Sequence, residues 1–253
     1  MITLPIAAAL AASILGTSFL SGIFGMAGGM ILMGILLAMM PLAAAMVLHG
    51  VTQMASNGWR AWLWRTHIQW RVVAWYAAGG LIAALAFFAA QVVPSKSVTF
   101  IVLGVLSFTG LLLPSRFAPS IIRRTDAVAC GAVCTALQFV AGVSGPIFDV
   151  FFVRSGLGRK DTVATKAAIQ TLGHFLKVAY FCQLLVAGTA EIAPVAVILA
   201  ISLAVVGTQL SRSVLDAISD AQFRSWTRGL IATIASIYLV HGITLLVSEQ
   251  KFV

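Results

Sequence analysis

Charge is what this chain has least of. Asp, Glu, Lys and Arg make up 9% of its 253 residues, against about 25% in an ordinary soluble domain. None of the four occurs before Arg60. That deficit excludes a soluble globule. Cysteine is also scarce: Cys130, Cys134 and Cys182 all fall inside apolar runs, without metal-ligand spacing. No metal site and no cofactor is expected. The opening MITLPIAAALAAS lacks the basic start of a secretory signal peptide. It reads as a first span that stays in the protein. No phosphate-cradling P-loop is present, so direct ATP drive would need a partner.

Apolar sequence fills the rest. The chain is 60% hydrophobic, with mean hydropathy +1.04. Runs of about 20 residues recur end to end, too long and too uniform for alternating barrel strands. The expected fold is all-α: one polytopic helical membrane domain, with the bilayer as its surroundings. The net charge of +9 does not point to nucleic acid. Its Lys and Arg residues lie mostly between spans, as cytoplasmic loop residues do.

Apolar segments fall near 3–24, 30–40, 41–64, 71–92 and 97–113, then 125–142, 147–156, 161–186, 189–210 and 226–247. The second segment of each five is too short to cross a hydrocarbon core. Each follows a glycine-bearing break, GIFGMAGGM and AGVSGPIF. One shift aligns the breaks: Gly25 matches Gly142 (142 − 25 = 117), and Gly28 matches Gly145. Carried forward without a gap, it places Gln53 on Gln170, His49 on Lys166, Asn57 on His174 and Arg60 on Lys177. We read an internal repeat: one copy over about 1–113, a cytoplasmic linker over about 114–124, a second copy over about 125–253.

Loop charge orients the copies. Arg60, Arg65, His67 and Arg71 mark one connection as cytoplasmic. Its equivalent, GTAEI, carries a single acid. QVVPSK carries one lysine, whereas its equivalent carries Arg212, Arg224 and Arg228 with Asp216 and Asp220. The linker adds Arg116, Arg123 and Arg124. Corresponding loops therefore face opposite sides, which predicts inverted-topology repeats. The N-terminus is expected in the periplasm of an inner-membrane protein.

Inverted repeats with short, glycine-broken segments point to the binding site of a secondary transporter. At about 100° per residue, His49, Gln53, Asn57 and Arg60 share one helix face, and Lys166, Gln170, His174 and Lys177 repeat it. Gln53, Asn57, Gln170 and His174 are the expected ligand surface, with His49 beside them and Lys166 as a long-range attraction. Backbone amides around Gly28, Gly29, Ser144 and Gly145 would complete an anion cradle. Arg60 and Lys177 read as gating or anchoring residues toward the stripe ends. Asp149, an acid within an apolar segment, is either a proton carrier or one half of an ion pair with Arg154 or Lys166. His174 is the alternative proton carrier.

GMAGGMILMGILLAMMP, HGVTQMASNGWRAWLWRTHIQWR and QTLGHFLKVAYF resemble the TauE/SafE family of membrane proteins, over nearly the whole chain. Both breaks, AGGM and SGPI, depart from a richer glycine pattern. The resemblance implies export of small sulfur-containing anions: sulfite, or an organosulfonate such as sulfoacetate. The expectation is a secondary-active exporter rather than an enzyme, with alternating access and a proton link. A passive anion channel is the main alternative. An intramembrane enzyme using Ser144, His174 and Asp149 lacks a nucleophile motif, and a scaffold subunit is a further rival. A homodimer is compatible with all of these.

Overall fold

In the computed structural model, residues 4–24, 26–112, 117–187, 192–217 and 220–250 are described. Among them there is no strand. Ten α-helices follow in order: α1 (Leu4–Phe24), α2 (Met26–Met39), α3 (Leu42–Leu63), α4 (Trp70–Ala90), α5 (Lys96–Leu112), α6 (Arg124–Ala141), α7 (Gly145–Phe152), α8 (Arg159–Ala187), α9 (Pro194–Ala217) and α10 (Asp220–Gln250). Each apolar segment of the sequence corresponds to one helix. Gly25, Arg116, Glu191 and the side chains of Arg212, Asp216, Asp220 and Arg224 lie outside the described residues.

Helix length separates two classes. At about 1.5 Å per residue, the 14 residues of α2 and the 8 of α7 fall short of a hydrocarbon core. Four described helices are long and apolar enough to span one: α1, α4, α9 and α10. Their outer faces carry bare aliphatic side chains, among them Leu85, Val195 and Val240, each more than 60% exposed. Such faces suit acyl chains. Helices α3 and α8 have the length but carry the polar stripes. They lie along each other, and α3 buries His49, Gly50, Thr52, Gln53, Ser56 and Asn57.

Four pairings build the bundle: α3 on α8, α5 on α10, α1 on α9 and α4 on α6. Small residues bring the backbones together, as packing without a hydrophobic drive between helices requires. A Cβ on Gly131 of α6 would meet the Tyr76 carbonyl of α4 at 2.0 Å, and one on Gly79 the Val128 carbonyl at 1.9 Å. Between α1 and α9, a Cβ on Gly207 would meet the Leu15 carbonyl at 2.6 Å. Polar contacts tie α3 to α9: Ser56 Oγ to Thr208 Oγ1 at 2.7 Å, and Trp59 Nε1 donating to Gln209 Oε1 at 3.1 Å.

Two boundaries differ from the sequence reading. Helix α2 starts at Met26, not near 30, so Gly28 and Gly29 lie within it. Gly28 is there for packing, because a Cβ would sit 2.0 Å from the Thr17 carbonyl of α1. Helix α9 starts at Pro194, whose missing N–H costs nothing in a first turn.

Replacing Gly131 with Val is expected to break the α4–α6 seam, destabilising the protein by about 1–3 kcal/mol or more. Gly229→Ala, with nothing within 4 Å of the added atom, is the control. Thermal unfolding in detergent should separate the two.

Candidate functional site

The site is built where two helix breaks meet two polar stripes. Helix α6 ends at Gly142, which adopts φ +77° and so favours glycine. Helix α7 begins three residues later. A Cβ on Gly145 would meet the Met26 side chain at 2.4 Å, so the starts of α2 and α7 touch.

His49 links the first turn of α2 to the α6–α7 break. Its Nε2 lies 2.9 Å from the Gly29 carbonyl, and its Nδ1 lies 2.7 Å from Lys177 Nζ. A carbonyl only accepts, so Nε2 carries the hydrogen and Nδ1 accepts from Lys177. Lys177 Nζ also donates to the Gly142 carbonyl at 2.8 Å. One continuous chain therefore runs from Gly29 through His49 and Lys177 to Gly142. Gly50 permits it: a Cβ there would strike Val178 at 2.5 Å and approach Lys177 Cε at 3.2 Å.

Two of the stripe residues expected from sequence, His174 and Gln53, adjoin this chain. His174 is buried, its ring edge-on to His49 with centroids 5.5 Å apart, and its Nδ1 has no protein partner. Gln53 is buried with Nε2 unpartnered, and its amide lies flat beside Gly29, 3.1 Å from where a Cβ would stand. Asn57 is buried one turn further along α3. Gln170 is half-buried on α8, one turn before His174.

Other expected residues sit differently. Lys166 donates to Asp149 and lies over the Phe152 ring at 5.7 Å, so its charge is already matched. Asp149 faces outward, its side chain 47% exposed. Arg154 turns instead to the Ala118 carbonyl at 3.2 Å. Lys177, read from sequence as an anchor toward a stripe end, is fully buried. It stands ten residues before the end of the 29-residue α8 (187 − 177 = 10). Just beyond it, Tyr180 stacks on Phe139 at 4.7 Å, and Phe87, Phe88 and Phe181 pack edge-on around that ring.

At the second break, some amides are used within the turn. Pro146 has no N–H, and the amides of Ile147 and Phe148 both donate to the Ser144 carbonyl. Ser144 Oγ accepts from Gln138 Nε2 at 3.1 Å. Among the described residues, the amides of Val143, Ser144 and Gly145 in this turn have no protein acceptor.

The same shift of 117 exposes members the stripes did not suggest. Ser18 falls on Thr135, and Ser21 on Gln138. All four are buried, and each has a side-chain polar atom without a protein partner: Ser18 Oγ, Ser21 Oγ, Thr135 Oγ1 and Gln138 Oε1. Most buried polar atoms find a partner, so four orphans at two equivalent pairs of positions mark polar ground beside both breaks. Carrying the alignment back into α1 and α6 would have found them. Arg60 and Lys177, which the same shift matches, make similar contacts. Arg60 Nη2 donates to the Ser21 carbonyl near the end of α1 at 3.0 Å. Each basic side chain thus donates to the carbonyl end of a helix, α1 or α6, the end where the helix dipole is negative.

Gly142→Ala should cost about 1–2 kcal/mol for the left-handed backbone, plus a clash with Met33 Sδ at 2.6 Å. Gly156→Ala, at φ +68° in open space, should carry the backbone cost alone. Melting temperatures of the two variants measure the difference.

No curated protein and no solved structure matches this chain. A family model described as Sulfite exporter TauE/SafE matches residues 9–239. With most of its length so matched, the chain belongs to the sulfite exporter TauE/SafE family, a family of membrane transporters.

Proposed function

We propose that this protein is a secondary-active exporter of a small sulfur-containing anion, sulfite or an organosulfonate such as sulfoacetate. It works in the inner membrane by alternating access, with a proton moving alongside. Membership of a sulfite exporter family supports anion export in general. The donors of the site support such an anion. Gln53, Asn57, Gln170 and His174 are polar side chains on the two facing helices, and the free Gly145 amide stands at a helix start. Amide and imidazole donors suit the several oxygens of a sulfonate.

One observation carries the reading. The first turn of α2 and the α6–α7 break are joined through the two stripes, by the chain from Gly29 through His49 and Lys177 to Gly142. A rearrangement at one of them therefore pulls on the other. Alternating access asks for that coupling between two halves.

The halves themselves are read as inverted repeats. Under the correspondence of α1 with α6 and α4 with α9, the α1–α9 pairing exchanges with the α4–α6 pairing. Both are extensive. The α3–α8 and α5–α10 pairings map onto themselves. That pattern is what a two-fold relation produces, and it supports a path along the α3–α8 seam.

Gln170→Ala is expected to lower sulfonate uptake into proteoliposomes about tenfold. That matches loss of one hydrogen bond to a charged group, about 1.5–3 kcal/mol. Its melting temperature should stay at the wild-type value. Unchanged uptake would remove Gln170 from the site. Conductance that never saturates, and no accumulation under an imposed proton gradient, would favour a channel.

A further inference from the structure

A buried lysine calls for a counter-ion. Lys177 has no exposed surface, and no described carboxylate is left to serve it. Asp126 accepts from the Ser120 amide and pairs with Arg123. Asp149 holds Lys166, Asp161 holds His67, and Glu249 accepts from Ser97. Among the described residues, none lies within ion-pair distance of Lys177, His49 or His174.

The neighbours of Lys177 are basic or neutral. From α3 comes His49, from α8 itself His174, and from the α6–α7 turn the Gly142 carbonyl. Helix α2 contributes the Gly29 carbonyl, through His49. The hydrogen count is informative. Lys177 Nζ meets two acceptors, His49 Nδ1 and Gly142 O. A neutral amine has two hydrogens for them. An ammonium has three, and the third needs an acceptor that no described residue supplies. An anion would supply it. The orphan His174 Nδ1 belongs to the ring beside His49, and the Gly145 amide follows Gly142 by three residues.

We propose that Lys177, oriented by His49, is the counter-charge of the transported anion, and that its proton crosses the membrane with the anion. The proposal rests on the anion-export reading above. On the loading side, the amine lone pair takes one proton from water as a monoanion enters. A new N–H bond forms, and it donates to an anion oxygen. The ion pair is neutral as a unit. On the far side the anion leaves, the proton returns to water and the amine is restored. Lys177 binds the anion, and His49 is a positioning residue.

The test uses the full protein in proteoliposomes, with methanesulfonate as probe. Its charge does not change with pH, so any co-moving proton is carried by the protein. Uptake is followed by isotope, and protons by a pH-sensitive dye. The wild type should move one proton per anion, with uptake insensitive to membrane potential. Lys177→Arg keeps its charge permanently. It should still bind the probe within about tenfold of wild type, yet lose proton co-movement and become sensitive to potential. Lys177→Met should weaken binding by about 100-fold or more. His49→Leu leaves the amine in place without its acceptor, so the pH of half-maximal uptake should shift. This variant remains informative if Lys177→Met does not fold. Wild-type proton stoichiometry in Lys177→Arg, or wild-type binding in Lys177→Met, would overturn the proposal. So would an unshifted pH profile in His49→Leu. A wild-type protein that moves no sulfonate or sulfite would overturn the export reading, and this proposal with it.

Discussion

The structure depends on how one basic side chain is held at a broken helix. Lys177 can reach the Gly142 carbonyl only because α6 stops there. The stop needs a residue that tolerates φ +77°. His49 can reach Lys177 only because Gly50 lets α3 and α8 approach. His49 then holds Gly29 of α2. Remove any one link and the others lose their geometry. The aromatic layer of Tyr180, Phe139, Phe87 and Phe88 lies next along α8 and fixes the helix beyond the lysine.

The membrane explains why the arrangement is built this way. Lipid cannot satisfy a free backbone group, so broken helices must be covered by protein or face a polar path. The long apolar helices α1, α4, α9 and α10 supply cover, and their exposed aliphatic faces meet acyl chains. Inside them, short helices α2 and α7 bring their starts together, and α3 and α8 bring their stripes together. Arg60 and Lys177 donate to the carbonyl ends of α1 and α6. A fold of apolar helices thus acquires a polar interior.

Most of this was legible in the sequence, for physical reasons. Long apolar runs have few alternatives to helices, so every segment became one. The shift of 117 matched His49, Gln53, Asn57 and Arg60 to residues of α8, the helix that lies along α3. Depth was not legible. Periodicity puts Lys177 on the correct face, but it does not say that the side chain turns inward to a carbonyl. Glycine was ambiguous in the same way. Low helix propensity assigned Gly28 and Gly29 to a break, whereas close packing placed them inside α2. For Asp149 the sequence offered two cations, and only three-dimensional placement distinguishes Lys166 from Arg154. Ser18, Ser21, Thr135 and Gln138 needed burial before their equivalence meant anything.

The central claim is that an anion binds at the α3–α8 seam, beside the α6–α7 break. A crystal structure with a bromine-bearing sulfonate, read through the anomalous signal of bromine, tests it most directly. The account predicts a sulfonate within hydrogen-bond distance, about 3 Å, of Lys177 Nζ and the Gly145 amide. A sulfonate bound instead at Lys166, or on the outer face of the bundle, would contradict it.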